Sequence, residues 1–497
     1  MEARLKEFKD YMSKIEYLGN ATGLLYWDMR VGIPKKGIPY RAEMIGYLSG
    51  EQYKLETSSE MKEFIDFFTA REDLDVVTKA MVDKARRNYE RSKCIPENRF
   101  KAYVIATSHA EAAWEEAKEK SDYSIFLPHL EELVNFNKEF LEYWGYEKNK
   151  YDTLLDFYEP GITVEKLDAV FGELREELVK LLEGIKKSEV KIDSSFFNKR
   201  FTVEEQEEFS KFILEKMEFD FEAGRLDVSV HPFTINFGNK DVRITTHYYE
   251  NDFKSALFSS IHEGGHALYE QDIADELEGT GLGTGTSMGI HESQSRFYEN
   301  ILGRSKEFWR YFFPEAIKRF PQFEKVSFEE FYRAINEVCP SLIRTEADEL
   351  TYGLHVIVRY EIEKALINGE IEVKDLPEIW NKKYVEYLGV EPKNDSEGVL
   401  QDMHWSGGSF GYFPSYALGN LYGAQFLNTM HRDIPDLYKQ IEEGNLSNIH
   451  QWLKEKIHLH GSVYTPAELI VKVTGEELNP KYFVDYLKNK YSEIYKL

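Results

Sequence analysis

Two histidines stand four apart in His262-Glu263-Gly264-Gly265-His266, and 26 residues past the second comes Glu292, inside His291-Glu292-Ser293-Gln294. On an α-helix, positions four apart share a face, so both imidazoles can bind one metal ion while Glu263 sits beside it as a base. Two neutral imidazoles and a carboxylate leave a zinc ion one open position for water, the pattern of catalytic rather than structural sites. A metal acidifies such a water, and Glu263 is the only carboxylate that the motif holds next to the ligands. It can take the proton and later pass it to a departing amine. The chemistry these residue types permit is hydrolysis of an amide bond. The plain alternative, an exposed histidine pair on a helix, leaves the arrival of Glu292 on a second helical stretch unexplained.

Elements of two kinds must position these groups. The His262 segment reads as a helix with Asp252 as its N-cap. Just before it, Phe233-Thr234-Ile235-Asn236-Phe237 and Val242-Arg243-Ile244-Thr245-Thr246-His247-Tyr248 are β-rich runs separated by Gly238-Asn239-Lys240-Asp241, which predicts a hairpin. Its edge either pairs with an extended peptide or only packs. Glycines at 279, 281, 283, 285 and 289 predict an irregular loop that bends the chain so Glu292 can reach the metal, with a flexible lid as an extension of that idea. The loop fails the phosphate-binding fingerprints, which argues against nucleotides.

Elsewhere the pattern is helical. Leu5, Phe8, Met12 and Ile15 repeat at three and four, with Gly19 as the expected stop. Capping boxes appear at Thr202 with Glu205, Ser327 with Glu330, and Thr465 with Glu468, the last with Pro466 at the first helical position. No repeat, low-complexity tract or long Ser/Gly linker marks a boundary, so a mainly α fold over 1–497 as one catalytic domain is the expectation.

A net charge of −26 and a pI near 5.1 disfavour nonspecific binding to nucleic acid or to an anionic membrane, because both repel an acidic surface. No 18-residue apolar run occurs and the N-terminus lacks an apolar signal core, so a cytoplasmic location is expected. The two cysteines, Cys94 and Cys339, form no metal-type pair, suit a reducing compartment, and are expected as packing residues. Glycosylation-type triplets at Asn20, Asn394 and Asn445 are read as chance.

Six segments extend the metal motif: His231-Pro232-Phe233, Asp241-Val242-Arg243-Ile244-Thr245, the His262 motif, His291-Glu292-Ser293-Gln294, Ile343-Arg344-Thr345-Glu346-Ala347-Asp348, and Gly398-Val399-Leu400-Gln401-Asp402-Met403-His404-Trp405. With these segments, and Leu24-Leu25-Tyr26-Trp27-Asp28 near the start, the chain resembles the carboxypeptidase Taq family of thermostable-type metallocarboxypeptidases over essentially its whole length. The resemblance implies a large helical metallopeptidase with a deep active-site groove, similar in shape to the angiotensin-converting and neurolysin-type peptidases, and a homodimer. It implies removal of single residues from peptide C-termini with broad tolerance, and activity with zinc or with cobalt as an alternative.

Selecting a chain end requires a cation for the terminal carboxylate, and arginine offers a planar fork of donors. Arg344 is the first choice and Arg243 the second, although Arg243 can equally pair with Asp241 two positions away. A developing oxyanion needs donors besides the metal, for which His404 and Tyr416 stand as candidates, a merely packed Tyr416 being the alternative. His231 either binds substrate backbone or satisfies a hydrogen bond in the hairpin region. Asp348 and Glu270 are possible partners for the second ring nitrogen of a metal-bound histidine. The remaining alternatives are an oligopeptidase or dipeptidase with the same chemistry, and a peptide-binding protein with a structural metal, against which an intact Glu263 argues. A Lys/Glu-rich composition with few cysteines is compatible with a warm-living source.

Overall fold

The computed structural model describes residues 1–497, which are mainly helical with one three-stranded sheet. The chain forms two compact units. The first comprises residues 1–92, 192–335 and 426–475, and the second residues 93–191, 336–425 and 476–497.

In the first unit, helix α1 (Glu2–Val31) buries Phe8, Tyr11, Met12 and Ile15, the stripe that the sequence pattern marked. Phe8 stacks on Phe64 and Phe68 at 5.0 and 5.5 Å. The expected stop at Gly19 does not occur, and the helix runs on to Gly32. A glycine stop requires a positive φ, and Gly19 has none. A mid-helix glycine costs about 1 kcal/mol, which the second half of α1 offsets by packing onto the hairpin: a Cβ at Gly23 would lie 3.2 Å from Phe237.

The hairpin forms as expected from β2 (Thr234–Asn236) and β3 (Val242–Thr246), antiparallel, with Gly238 in the turn at φ 108°. A third strand, β1 (Gly224–Val228), pairs parallel to β3 and gives the order β1-β3-β2. Val242, Ile244 and Thr246 are buried on one face of β3. That face meets helix α2 (Phe253–Gln271), to whose Ala256 carbonyl Thr246 donates. Asp252 caps α2 through the amides of Lys254 and Ser255, and all three capping boxes form.

Helix α3 (Met288–Arg296), capped by Ser287, crosses α2 closely and opens into a π-helical turn at Phe297–Leu302. The approach depends on Gly265, because a Cβ there would lie 2.6 Å from the Gln294 carbonyl oxygen and 2.8 Å from Ser295 Cα. Between α2 and α3 the glycine-rich loop takes positive φ at Gly279 and Gly281. It is tied down rather than loose: Glu16 accepts from the amides of Gly279 and Gly281, and the Leu282 carbonyl accepts from Ser462.

The second unit is helical. Helix α4 (Tyr352–Asn368) is buried along most of its length and includes Arg359 and Glu363, both without exposed surface. Cys94 and Cys339 form no disulfide and are exposed, which corrects the expectation that they serve packing. No helix is long and apolar enough to cross a membrane.

Candidate metal centre

Helical spacing on α2 brings His262 and His266 to one face, and α3 delivers Glu292 opposite them. Glu292 Oε2 lies 3.7 Å from His262 Nε2 and 3.5 Å from His266 Nε2. Ligand atoms on a tetrahedral zinc ion, with bonds of about 2.0–2.2 Å, sit about 3.3–3.6 Å apart. The three side chains therefore have the donor types and nearly the separations that zinc requires.

Each of these groups is held from behind. His262 Nδ1 donates to Glu299 Oε2 at 2.8 Å, since an ionised carboxylate can only accept. Glu299 projects from the π-helical turn, a distortion often found where a side chain must be aimed. His266 Nδ1 meets His291 Nδ1 at 2.6 Å, and His291 Nε2 meets Glu270 Oε1 at 2.6 Å. Arg296 Nε donates to Glu292 Oε1 at 2.7 Å, which leaves Oε2 for the histidine side. Glu263, 7% exposed, accepts from the Thr234 hydroxyl of β2 at 2.6 Å. Strand β2 thus orients the carboxylate beside the ligands.

Burial and charge compete in the electrostatics of the site, and burial wins at two groups. It raises the Glu263 carboxyl above its ordinary range and pushes the His266 ring down to about 4. For Glu292, burial is outweighed by Arg296 and His262, which hold it well below the usual carboxylate range. The His262 ring is raised, because Glu292 and Glu299 outweigh its burial. A buried carboxylate with a raised proton affinity, such as Glu263, is suited to accept a proton from an acidified water.

A second cluster, Asp272 with His450 and His458, also places three ligand-type atoms close together. Here Asp272 Oδ2 lies 2.6 Å from His450 Nε2 and 3.0 Å from His458 Nδ1, and Lys454 occupies Oδ1 at 2.9 Å. These are hydrogen-bond lengths around a carboxylate that already has a cation. The cluster reads as a buried ion-pair network.

The other site candidates divide into two groups. In the second unit, Arg344, His404 and Tyr416 come together. His404 Nε2 and the Tyr416 hydroxyl are 3.1 Å apart, and the Arg344 guanidinium lies 4.7 Å over the Tyr416 ring. His404 rests on Phe413, burial lowers its ring to about 4, and its Nδ1 has no partner. Arg344 is 6% exposed, and its fork is engaged: Nη2 donates to Asp402 at 2.9 Å and Nη1 to Tyr352 at 3.0 Å. Asp402 is also held by Arg359 at 2.6 Å, so two arginines clamp the segment that leads to His404. Glu363 accepts from Tyr151, Trp405 Nε1 and the Gly411 amide, and burial raises its carboxyl to about 7.

Arg243 and His231, the second group, belong to the first unit. Arg243 pairs with Ile235 across the hairpin, on the face opposite the Thr234–Ile244 pair that looks toward Glu263. It donates to Asp241 through Nε and Nη2 at 2.8 and 2.7 Å and lies over Trp27. This is the pairing that its spacing from Asp241 allowed. His231 is exposed, and only its carbonyl is engaged, by Ser229.

The sequence reading missed Glu299, Arg296, Thr234 and Arg359, and left His291 without a role. Arg296 and Glu299 lie four and seven residues past Glu292, a helical spacing that could have suggested them. Of the two proposed carboxylate partners, Glu270 reaches His266 only through His291. Asp348 instead accepts from the Cys339, Leu350 and Thr351 amides.

A sequence profile of the family described as Carboxypeptidase Taq (M32) metallopeptidase matches residues 7–491. Carboxypeptidase 1 of Bacillus subtilis is 51% identical over 494 residues, 99% of each chain. The solved M32 carboxypeptidase from Deinococcus radiodurans R1 matches with a TM-score of 0.97 at 35% identity over 100% of both chains. A Pyrococcus furiosus carboxypeptidase structure matches at 0.96 and 39%, over 98% of this chain and 99% of that one.

Proposed function

The chain belongs to the carboxypeptidase Taq (M32) metallopeptidase family and is a peptide-hydrolysing carboxypeptidase, and from that premise we propose that it is a zinc enzyme of broad specificity with Glu263 as its general base. The observation that carries the metal reading is the set of His262, His266 and Glu292 at near-tetrahedral separations. Bound there, zinc would polarise the scissile carbonyl and acidify a water, with cobalt as an activating alternative. Glu263, buried and aimed by Thr234, takes the proton and returns it to the leaving amine. His262 and His266 stay neutral donors, their outer nitrogens engaged by Glu299 and His291.

We assign the terminal carboxylate to Arg344 rather than Arg243. Turning its fork toward a substrate leaves Asp402 paired with Arg359, whereas turning Arg243 away would break both hydrogen bonds that it donates to Asp241. His404 and Tyr416 are proposed as donors to the developing oxyanion, a role supported by the hydrogen bond that joins them and by the motif that contains His404. In this reading residues 1–497 act as one catalytic domain, the protein is a cytoplasmic homodimer, and its partners are peptides with a free C-terminus rather than nucleic acid or membrane. The acidic charge supports the last point, and two cysteines without a disulfide support the compartment.

The test is to compare hydrolysis of an N-blocked peptide bearing a free C-terminus with that of its C-terminal amide in the presence of zinc. Rapid release of single residues from the acid alone is expected. Equal rates would reject the end-directed reading in favour of an oligopeptidase.

A further inference from the structure

Both ring nitrogens of His291 are engaged, and the engagement bears on which nitrogen of His266 is bare. Its Nε2 lies 2.6 Å from Glu270 Oε1, and its Nδ1 lies 2.6 Å from His266 Nδ1. A carboxylate only accepts, so His291 Nε2 carries a proton and donates it to Glu270. With a metal ion on its Nε2, the atom 3.5 Å from Glu292 Oε2, His266 carries its one ring proton on Nδ1, and His291 Nδ1 is the acceptor for it.

The surroundings hold this arrangement fixed. Glu270, 3% exposed, also accepts from Asn236 of β2 and from Thr284 and the Gly285 amide of the glycine-rich loop. The His291 ring lies between those of His266 and Tyr269, at 4.7 and 5.1 Å between centroids. Gly285 makes room for it, since a Cβ there would come within 2.6 Å of His291 Cδ2.

We propose that His291 is a positioning residue: held by Glu270, it accepts the Nδ1 proton of His266 and so presents the His266 Nε2 lone pair to the metal. His262 is served directly by a carboxylate, Glu299, whereas His266 is served through an intervening imidazole. The glycine-rich loop then acts on the metal site by fixing Glu270 and giving space to His291. This inference rests on the metal reading proposed above.

The experiment uses the full chain and measures zinc affinity by chelator competition, together with the visible absorption of the cobalt-loaded protein. The variants are His291→Leu, which removes the acceptor, and His291→Asn, whose amide oxygen can stand near the position of Nδ1. Outer partners of metal-bound histidines typically contribute about 10–100-fold in metal affinity. A loss of that size is expected in the leucine variant with a changed cobalt spectrum, and affinity within about threefold of the parent in the asparagine variant. Parent-like zinc affinity and cobalt spectrum in His291→Leu would overturn the proposal. So would a loss in His291→Asn as large as about tenfold, a result that decides the matter even where the leucine variant folds poorly. Absence of zinc binding by the parent would instead refute the metal reading itself.

Discussion

Replacing Gly265 by alanine perturbs the metal site without touching a ligand. The added Cβ would meet the Gln294 carbonyl oxygen at 2.6 Å and Ser295 Cα at 2.8 Å, and ordinary contact begins at 3.4 Å. The shortfall against the oxygen, 3.4 less 2.6, is 0.8 Å. Both obstacles are backbone atoms of α3, so no rotamer change relieves them, and α2 and α3 must separate. Glu292 travels with α3, and its Oε2 stands 3.5 Å from His266 Nε2 before the change. Metal–ligand distances tolerate only about 0.2 Å, so a displacement several times larger has to be absorbed by bending the Glu292 side chain away from Arg296. Overpacking of this kind costs about 1–3 kcal/mol. The expected outcome for Gly265→Ala is a loss of folding stability of that order, read by urea denaturation of the metal-free protein. Zinc affinity in chelator competition should fall by about tenfold or more, since 1.4 kcal/mol corresponds to a factor of ten. Parent-like stability together with parent-like zinc affinity would show that the close crossing of these helices does not set the site.

Three further outcomes follow from the same geometry. Glu263→Gln should retain zinc while turnover falls about a hundredfold or more, and unchanged hydrolysis would remove Glu263 from the role of base. Arg344→Ala should lose activity on a free-acid peptide and leave any slow hydrolysis of the amide unaltered; equal loss on both would show a structural rather than a recognition role. Glu363 holds its proton to about pH 7 when folded, against 4.5 ordinarily, so the folded state binds more protons between these values and its stability falls as pH rises through them. That decline amounts to at most about 3 kcal/mol. Glu363→Gln should lack it, and stability–pH profiles that run parallel in parent and variant would contradict the assignment.

The parts of this molecule legible from sequence are those set by local chemistry. Asp252, Thr202 and Thr465 cap helices because a short oxygen-bearing side chain meets free amides within three residues. The Gly238 turn between β-rich runs forms the hairpin for a similarly local reason. The convergence of His262, His266 and Glu292, the proposed metal ligands, was legible because two of them share a helix and the third lies in a matching segment. Long-range contacts left no comparable sign. Gly19 continues a helix because α1 packs onto distant partners on both sides of it, and β1, only Gly224–Val228, is a strand because β3 pairs with it. Arg344 looked like a free fork because Asp402, 58 residues away, is its partner only in the fold. Glu299 gained its role from a π-helical turn that no pattern of apolar residues marks.

The most direct test is an anomalous-difference map from crystals of the protein soaked in zinc. One principal peak within bonding distance of His262 Nε2, His266 Nε2 and the Glu292 carboxylate is the expected result. A principal peak at Asp272, His450 and His458, with none at Glu292, would contradict the account.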